Sequence, residues 1–312
     1  MTVATFTADL ARFGPQETAA SRGMSLAEAK AYCRNLARTH YENFSVTSIL
    51  LPRELREHFY PIYAYCRWAD DLADEVADSA RSETLLNWWE EQLDACYAGE
   101  SRHPVFVALG EAIRQFSIPR DPFANLLVAF HQDQIQTRYT TPAELIGYCV
   151  NSANPVGRLV LHLGRCHTPE RVALSDSICT GLQLANFCQD VARDFERGRI
   201  YLPQESWQVA GCNETTFENR AASDSFRKLL KIEVDRAEAF LRAGAELPSL
   251  MPRDLQLQIA LFIEGGLATV QKIRDLDYNV WSQRPRVTKW DKLRIVWNCW
   301  RRTRHMANGE SP

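Results

Sequence analysis

Glycine and proline are scarce, fourteen of each in 312 residues, which excludes collagen-like, proline-rich and Gly/Ser-linker readings. No stretch approaches the roughly 20 uncharged apolar residues of a membrane-spanning helix. The opening MTVATFTADLARFG lacks the basic-then-apolar order of a secretory signal. Alternating β-branched runs are nearly absent, and no Asn-Gly turn joins two apolar strands. The nine cysteines are odd in number and contain no C-x-x-C pair, so they form neither a disulfide framework nor a zinc site. They read as small buried apolar residues in a reducing compartment, which places the chain in the cytoplasm. P-loop, dinucleotide and Ser-His-Asp signatures are also missing, so no nicotinamide cofactor is expected. No nucleic-acid partner is expected either.

What the chain has is helical periodicity and apolar residues, 46% of the total, ample for a large core. Helix-sized segments run approximately through 25–40, 53–76, 82–98, 103–116, 122–138, 142–164, 169–196, 223–246, 253–277 and 288–305. Ser25-Leu-Ala-Glu28 has capping-box spacing, and Pro52, Pro104, Pro142, Pro169 and Pro252 stand where first turns are expected. Residues 205–222 read as a loop. The expectation is a single all-α domain over 25–305, with a flexible segment at 1–24 and a frayed tail at 306–312.

Chemistry enters with Tyr60-Pro-Ile-Tyr-Ala-Tyr-Cys-Arg-Trp-Ala-Asp-Asp-Leu-Ala-Asp-Glu75. Helical spacing puts Asp70 with Asp74, and Asp71 with Glu75, on shared faces about 5–6 Å apart. Gln183-Leu-Ala-Asn-Phe-Cys-Gln-Asp-Val-Ala-Arg-Asp194 does the same for Asp190 and Asp194, with Asn186 one turn earlier. Like charges at this spacing oppose helix formation. A bland reading makes each run a solvated face with Arg67 and Arg193 as local partners. Two such runs within apolar helices point instead to a cation, and Mg²⁺ suits them because it takes one or two carboxylates and shares its other positions with substrate phosphates. A diphosphate so neutralised is a good leaving group. Its departure from an allylic or cyclopropylcarbinyl carbon leaves a cation that needs an apolar, aromatic, dry cavity. Tyr41, Phe44, Tyr63, Tyr148, Phe187 and Tyr278 are candidates for that wall.

Tyr60–Glu75, Tyr148-Cys-Val-Asn-Ser-Ala-Asn-Pro-Val-Gly157 and Gln183–Asp194, the last running into Gly198-Arg-Ile-Tyr-Leu-Pro203, together resemble the squalene/phytoene synthase family of head-to-head prenyl transferases. The resemblance covers about residues 25–295. It implies a single isoprenoid-synthase-type bundle with a central apolar cavity. It further implies Mg²⁺ held by Asp70, Asp74, Asp190 and Asp194 with Asn186, diphosphate contacted by Arg67, and Tyr63, Tyr148 and Tyr278 at the reaction centre. His40, Tyr41, Asn43, Phe44, Gln183 and Phe187 are the further substrate-binding candidates.

Three departures from the common pattern are informative. His40-Tyr-Glu-Asn-Phe44 replaces His-Ser-x-Ser-Phe, Ala153-Asn-Pro-Val-Gly157 replaces Ala-Gly-x-Val-Gly, and Gln189 replaces an arginine. The first and last make a diphosphate region less basic, which opposes the binding of two prenyl diphosphates at once. The combination resembles the hopanoid-pathway branch that makes hydroxysqualene. In that reading presqualene diphosphate loses diphosphate and water captures the cation, with Glu42, Asn43, Asn154 and Gln189 as candidates to position the water. The alternatives are presqualene diphosphate, squalene or phytoene synthesis from two prenyl diphosphates, and a non-catalytic homologue.

Residues Arg284–Arg304 hold eight basic residues against Asp291, a net of +7, whereas the preceding residues carry 28 bases and 37 acids, a net of −9. Trp290, Leu293, Trp297 and Trp300 form one helical stripe. The amphipathic helix that carries it is expected to dock on the bundle. The alternative is peripheral contact at the inner membrane face.

Overall fold

The computed structural model describes residues 3–15, 24–39 and 53–307. Among them the helices are α1 (Val3–Phe13), α2 (Leu26–Thr39), α3 (Arg53–Asp74), α4 (Ser79–Ala98), α5 (Pro104–Phe116), α6 (Asp121–Ile135), α7 (Pro142–Ser152), α8 (Asn154–Leu163), α9 (Pro169–Glu196), α10 (Gln204–Ala210), α11 (Glu214–Glu218), α12 (Asp224–Ala243), α13 (Leu247–Leu250), α14 (Arg253–Asp275) and α15 (Lys289–Ala307). No strand occurs among the described residues, only an isolated bridge between Arg138 and Ile200. The all-α expectation holds.

The punctuation read from sequence acts as expected. The Ser25 N–H donates to Glu28 Oε2 at 2.9 Å, and the Glu28 N–H donates to Ser25 Oγ at 3.3 Å. Thr141 and Thr168 cap α7 and α9 just before Pro142 and Pro169. Residues 142–164 are two helices rather than one. The break falls at Ala153 (φ −122°, ψ −48°), because Pro155 lacks an N–H and its ring clashes with a preceding helical turn. Residues 205–222 contain the short helices α10 and α11. Within 1–24, the apolar spacing of Phe6, Leu10 and Phe13 supports α1, and Phe6 is buried against Trp68, ring centroids 5.7 Å apart.

The chain divides into two compact units, one reaching Ile135 and including His162–Arg165, the other made of Gln136–Leu161 and the residues from Cys166 onward. The core of the first is aromatic. Trp68 of α3 stacks on Trp89 of α4 at 5.3 Å, and the His103 ring meets both edge-on at 4.7 and 4.8 Å. His103 caps α5 by accepting the Val105 N–H through Nδ1. Burial lowers its pKa to about 3, so the ring is neutral.

The second unit is built around α9. Gly181 packs where a Cβ would come within 2.8 Å of Leu241 in α12, and Gly157 lets α8 approach so closely that a Cβ would sit 2.4 Å from Ser175 Oγ. In α15 the buried contact is Cys299, at 1% exposure, while Lys272 of α14 pairs with Asp291 at 3.1 Å. The helix thus docks on α14, as expected, but it does so with its aromatic stripe left largely outside the contact. Trp290 is 81% exposed and Trp297 58%. Anchoring through Asp291 and Cys299 turns the stripe to the opposite face of the helix.

Candidate active site

In the first unit the acidic residues gather at the end of α3. Asp74 is its last residue, and the last turn holds no basic residue. Carboxylates here meet the negative end of the helix macrodipole as well as each other. The structure separates their roles. Asp71 is fully buried and accepts from Arg67 through both carboxylate oxygens, the Nε bond measuring 3.1 Å. Burial raises the Asp71 pKa, and the Arg67 charge and hydrogen bonds oppose that rise. Asp70 is half exposed and meets Arg67 Nη1 at 3.1 Å, while Asp74 is exposed. Arg67 is thus held by Asp71 and presented beside Asp70. Tyr63 lies one turn before Arg67, and burial pushes its phenol up to about 12, with Arg67 opposing.

In the second unit Asp190 and Asp194 lie one turn apart on α9. The partner of Asp190 is Arg284, from the connection between α14 and α15. Arg284 Nε donates to Oδ1 at 2.5 Å and Nη2 to Oδ2 at 2.8 Å. Arg193 stands 3.9 Å away and is mostly exposed. Gln189 completes the network: its Oε1 accepts from Arg284 at 3.0 Å and its Nε2 donates to the Pro285 carbonyl at 2.6 Å. The Asp190 bonds raise the Arg284 pKa, and the nearby Asp194 charge adds to the effect. An arginine is absent at 189, yet a guanidinium is present, supplied from the loop and held by the glutamine. Counting Arg284 with the basic tail hid this in the sequence.

Phe187, between Asn186 and Asp190 on α9, stacks on Tyr201 at 4.1 Å and 8°. Tyr148 of α7 meets Tyr139, Tyr201 and Phe187 at 5.5, 5.7 and 6.1 Å. Neither Tyr139 nor Tyr201 was singled out from sequence, although Tyr201 lies in the quoted GRIYLP run. That run explains the stack. Gly198, at φ +77°, adopts the left-handed conformation that ends α9 after Asp194. The chain then pairs with 137–140, the Ile200 N–H donating to the Thr137 carbonyl at 2.9 Å and the Gln204 N–H to the Tyr139 carbonyl at 2.9 Å.

Asn154 is buried and accepts from Thr180 Oγ1 at 3.0 Å, so its amide has a structural partner in the α8–α9 seam. Gln183 is half-buried one turn before Phe187, and Asn186 is exposed one turn before Asp190. Tyr278 does not join the aromatic stack. It follows Asp277, which pairs with Arg227 of α12 at 3.0 Å, and its phenol lies within electrostatic reach of Lys231 on the same helix. His40, Tyr41, Glu42, Asn43 and Phe44 lie outside the described residues.

Among the described residues no three or more His, Cys, Asp or Glu side chains group as a metal cage. Each acidic helix instead offers a pair of carboxylates. That donor set fits a hard cation that leaves most of its positions to water and phosphate.

Residues 37–291 match the squalene/phytoene synthase family. The 15-cis-phytoene synthase of Synechocystis sp. is 29% identical over 292 residues, covering 89% of this chain and 86% of the relative. The structure of squalene synthase HpnC from Alicyclobacillus acidocaldarius superposes with a TM-score of 0.78 at 43% identity, covering 81% of this chain and 96% of that one. A dehydrosqualene synthase, at 24% identity and a TM-score of 0.82, covers 89% and 98% and shares the fold. The family's enzymes act on prenyl diphosphates, and the match spans both acidic helices, the aromatic stack and the Gly198 turn: this chain belongs to the squalene/phytoene synthase family.

Proposed function

We propose that the chain is a hydroxysqualene synthase that consumes presqualene diphosphate. The observation that carries this reading is the Gln189–Arg284–Asp190 network. It leaves the Arg284 guanidinium at the second acidic motif already committed to Asp190, with Arg193 standing off at 3.9 Å and mostly exposed, where condensing two prenyl diphosphates calls for dense positive charge. The HYENF and SANPVG departures support the same choice, as does the 43% identity to HpnC. Mg²⁺ would be held by Asp70 and Asp74 on α3 and by Asp190 and Asp194, with Asn186, on α9. Bound there, the ion would supply positive charge against the charge that develops on departing diphosphate.

The chain's own residues do the rest. Arg67, fixed by Asp71, gives a charge-assisted contact to a phosphate oxygen beside Asp70. The C–O bond breaks with its electron pair on the diphosphate. The faces of Tyr148, Phe187 and Tyr201 stabilise the carbocation and exclude bulk water. One water oxygen bonds to the cationic carbon and its proton passes to solvent, so no reductant is used. Gln189 acts as a positioning residue for Arg284.

Purified protein supplied with Mg²⁺ and either presqualene diphosphate or farnesyl diphosphate as sole substrate tests this reading. Hydroxysqualene from the first and little turnover of the second is expected. Efficient consumption of farnesyl diphosphate alone would move the chain to the condensing activities of the family.

A further inference from the structure

The exposed face of α15 carries a second inference, independent of the reaction. Trp290, Leu293, Trp297 and Trp300 recur at i, i+3, i+7 and i+10 and are 81%, 61%, 58% and 38% exposed. The Trp297 and Trp300 rings stack at 5.4 Å. The opposite face is occupied. Cys299 is buried, and Asp291 pairs with Lys272 of α14. Asp291 also accepts the Thr288 N–H at 2.9 Å, which fixes the start of the helix. Asp291 and Cys299 therefore hold Trp290, Leu293 and Trp297 outward. Basic residues flank it: Lys289, Lys292, Arg294 and Arg301 are all exposed.

We propose that this face seats on an anionic lipid bilayer. Charge complementarity selects the partner. The helix itself holds Lys289, Lys292, Arg294, Arg301, Arg302 and Arg304 against Asp291, a net of +5, and the residues before it hold 30 bases and 37 acids, a net of −7, so an anionic surface attracts the helix and repels the rest of the chain, which orients the contact. Indole rings flanked by Lys and Arg suit the headgroup boundary. Pairing this face with the same face of a second copy would oppose two strongly basic helices. No helix among the described residues is long and apolar enough to cross a membrane, so the contact lies in the interface plane.

Flotation of the full chain with vesicles of phosphatidylcholine alone, or of phosphatidylcholine and phosphatidylglycerol in equal parts, tests the proposal. Binding to the anionic vesicles is expected to be at least about tenfold tighter and to weaken with added salt. The Trp290→Ser/Trp297→Ser/Trp300→Ser variant, whose changes lie on the exposed face, should lose about tenfold or more of that binding with an unchanged circular dichroism spectrum. A Lys289→Glu/Arg294→Glu variant should lose the preference for anionic vesicles. Wild-type protein that ignores vesicles, a triple variant that binds equally well, or a concentration-dependent dimer abolished by the triple variant would each overturn the proposal.

Discussion

Asp70 and Asp71 are adjacent in sequence, and the structure predicts opposite consequences for losing their charges. Asp71→Asn leaves the guanidinium of Arg67 without its buried counter-charge. Breaking a buried pair in this way costs about 3–5 kcal/mol. Arg67 retains Asp70 at 3.1 Å and is 25% exposed, which favours the lower end, about 3 kcal/mol. Asp70→Asn alters a side chain that is 45% exposed, so stability should change by no more than about 1 kcal/mol. Its turnover should nevertheless fall about 100-fold or more, because several kcal/mol of metal-assisted transition-state stabilisation is lost. Urea denaturation and a diphosphate-release assay on both variants separate the two effects. Equal destabilisation by both substitutions, or near-native turnover in Asp70→Asn, would refute the division of roles.

Arg284→Gln leaves Asp190, whose side chain is 12% exposed, without its counter-charge, and should cost about 1–3 kcal/mol. Mg²⁺ should recover part of that loss by binding Asp190. Thermal unfolding with and without the ion checks this, and a variant indifferent to Mg²⁺ would count against Asp190 as a ligand. His103 supplies a pH dependence. Its folded pKa is lowered to about 3, so its contribution is full above the unfolded value near 6.5 and is lost as pH falls from there towards 3. Over that window the unfolded chain binds more protons at this site, with a slope of up to about 1.4 kcal/mol per pH unit. His103→Asn, which keeps a capping side chain, should flatten the slope, and an unchanged slope would mean that other groups set it.

The helices were legible because capping residues, first-turn prolines and apolar periodicity act locally. Ser25–Glu28 and Thr168–Pro169 behave as their sequence alone dictates. The acidic motifs were legible as pairs for the same reason. What sequence could not assign was which carboxylate is buried. Asp70 and Asp71 look equivalent until the packing of α3 puts only Asp71 beneath Arg67. Arg284 lies 94 residues from Asp190, and no periodicity connects them. Tyr139 joins Tyr201 through chain pairing that depends on the Gly198 turn. The docking of α15 was legible in the sequence but the face it uses was not, since the contact depends on Lys272 and Cys299 rather than on where the tryptophans are.

The most direct test of the central claim follows the oxygen. Presqualene diphosphate should be turned over by the purified protein with Mg²⁺ in ¹⁸O-labelled water and no reductant. Hydroxysqualene carrying the solvent label is the predicted result, since water captures the cation. Unlabelled alcohol, or squalene formed only when a reductant is added, would contradict it.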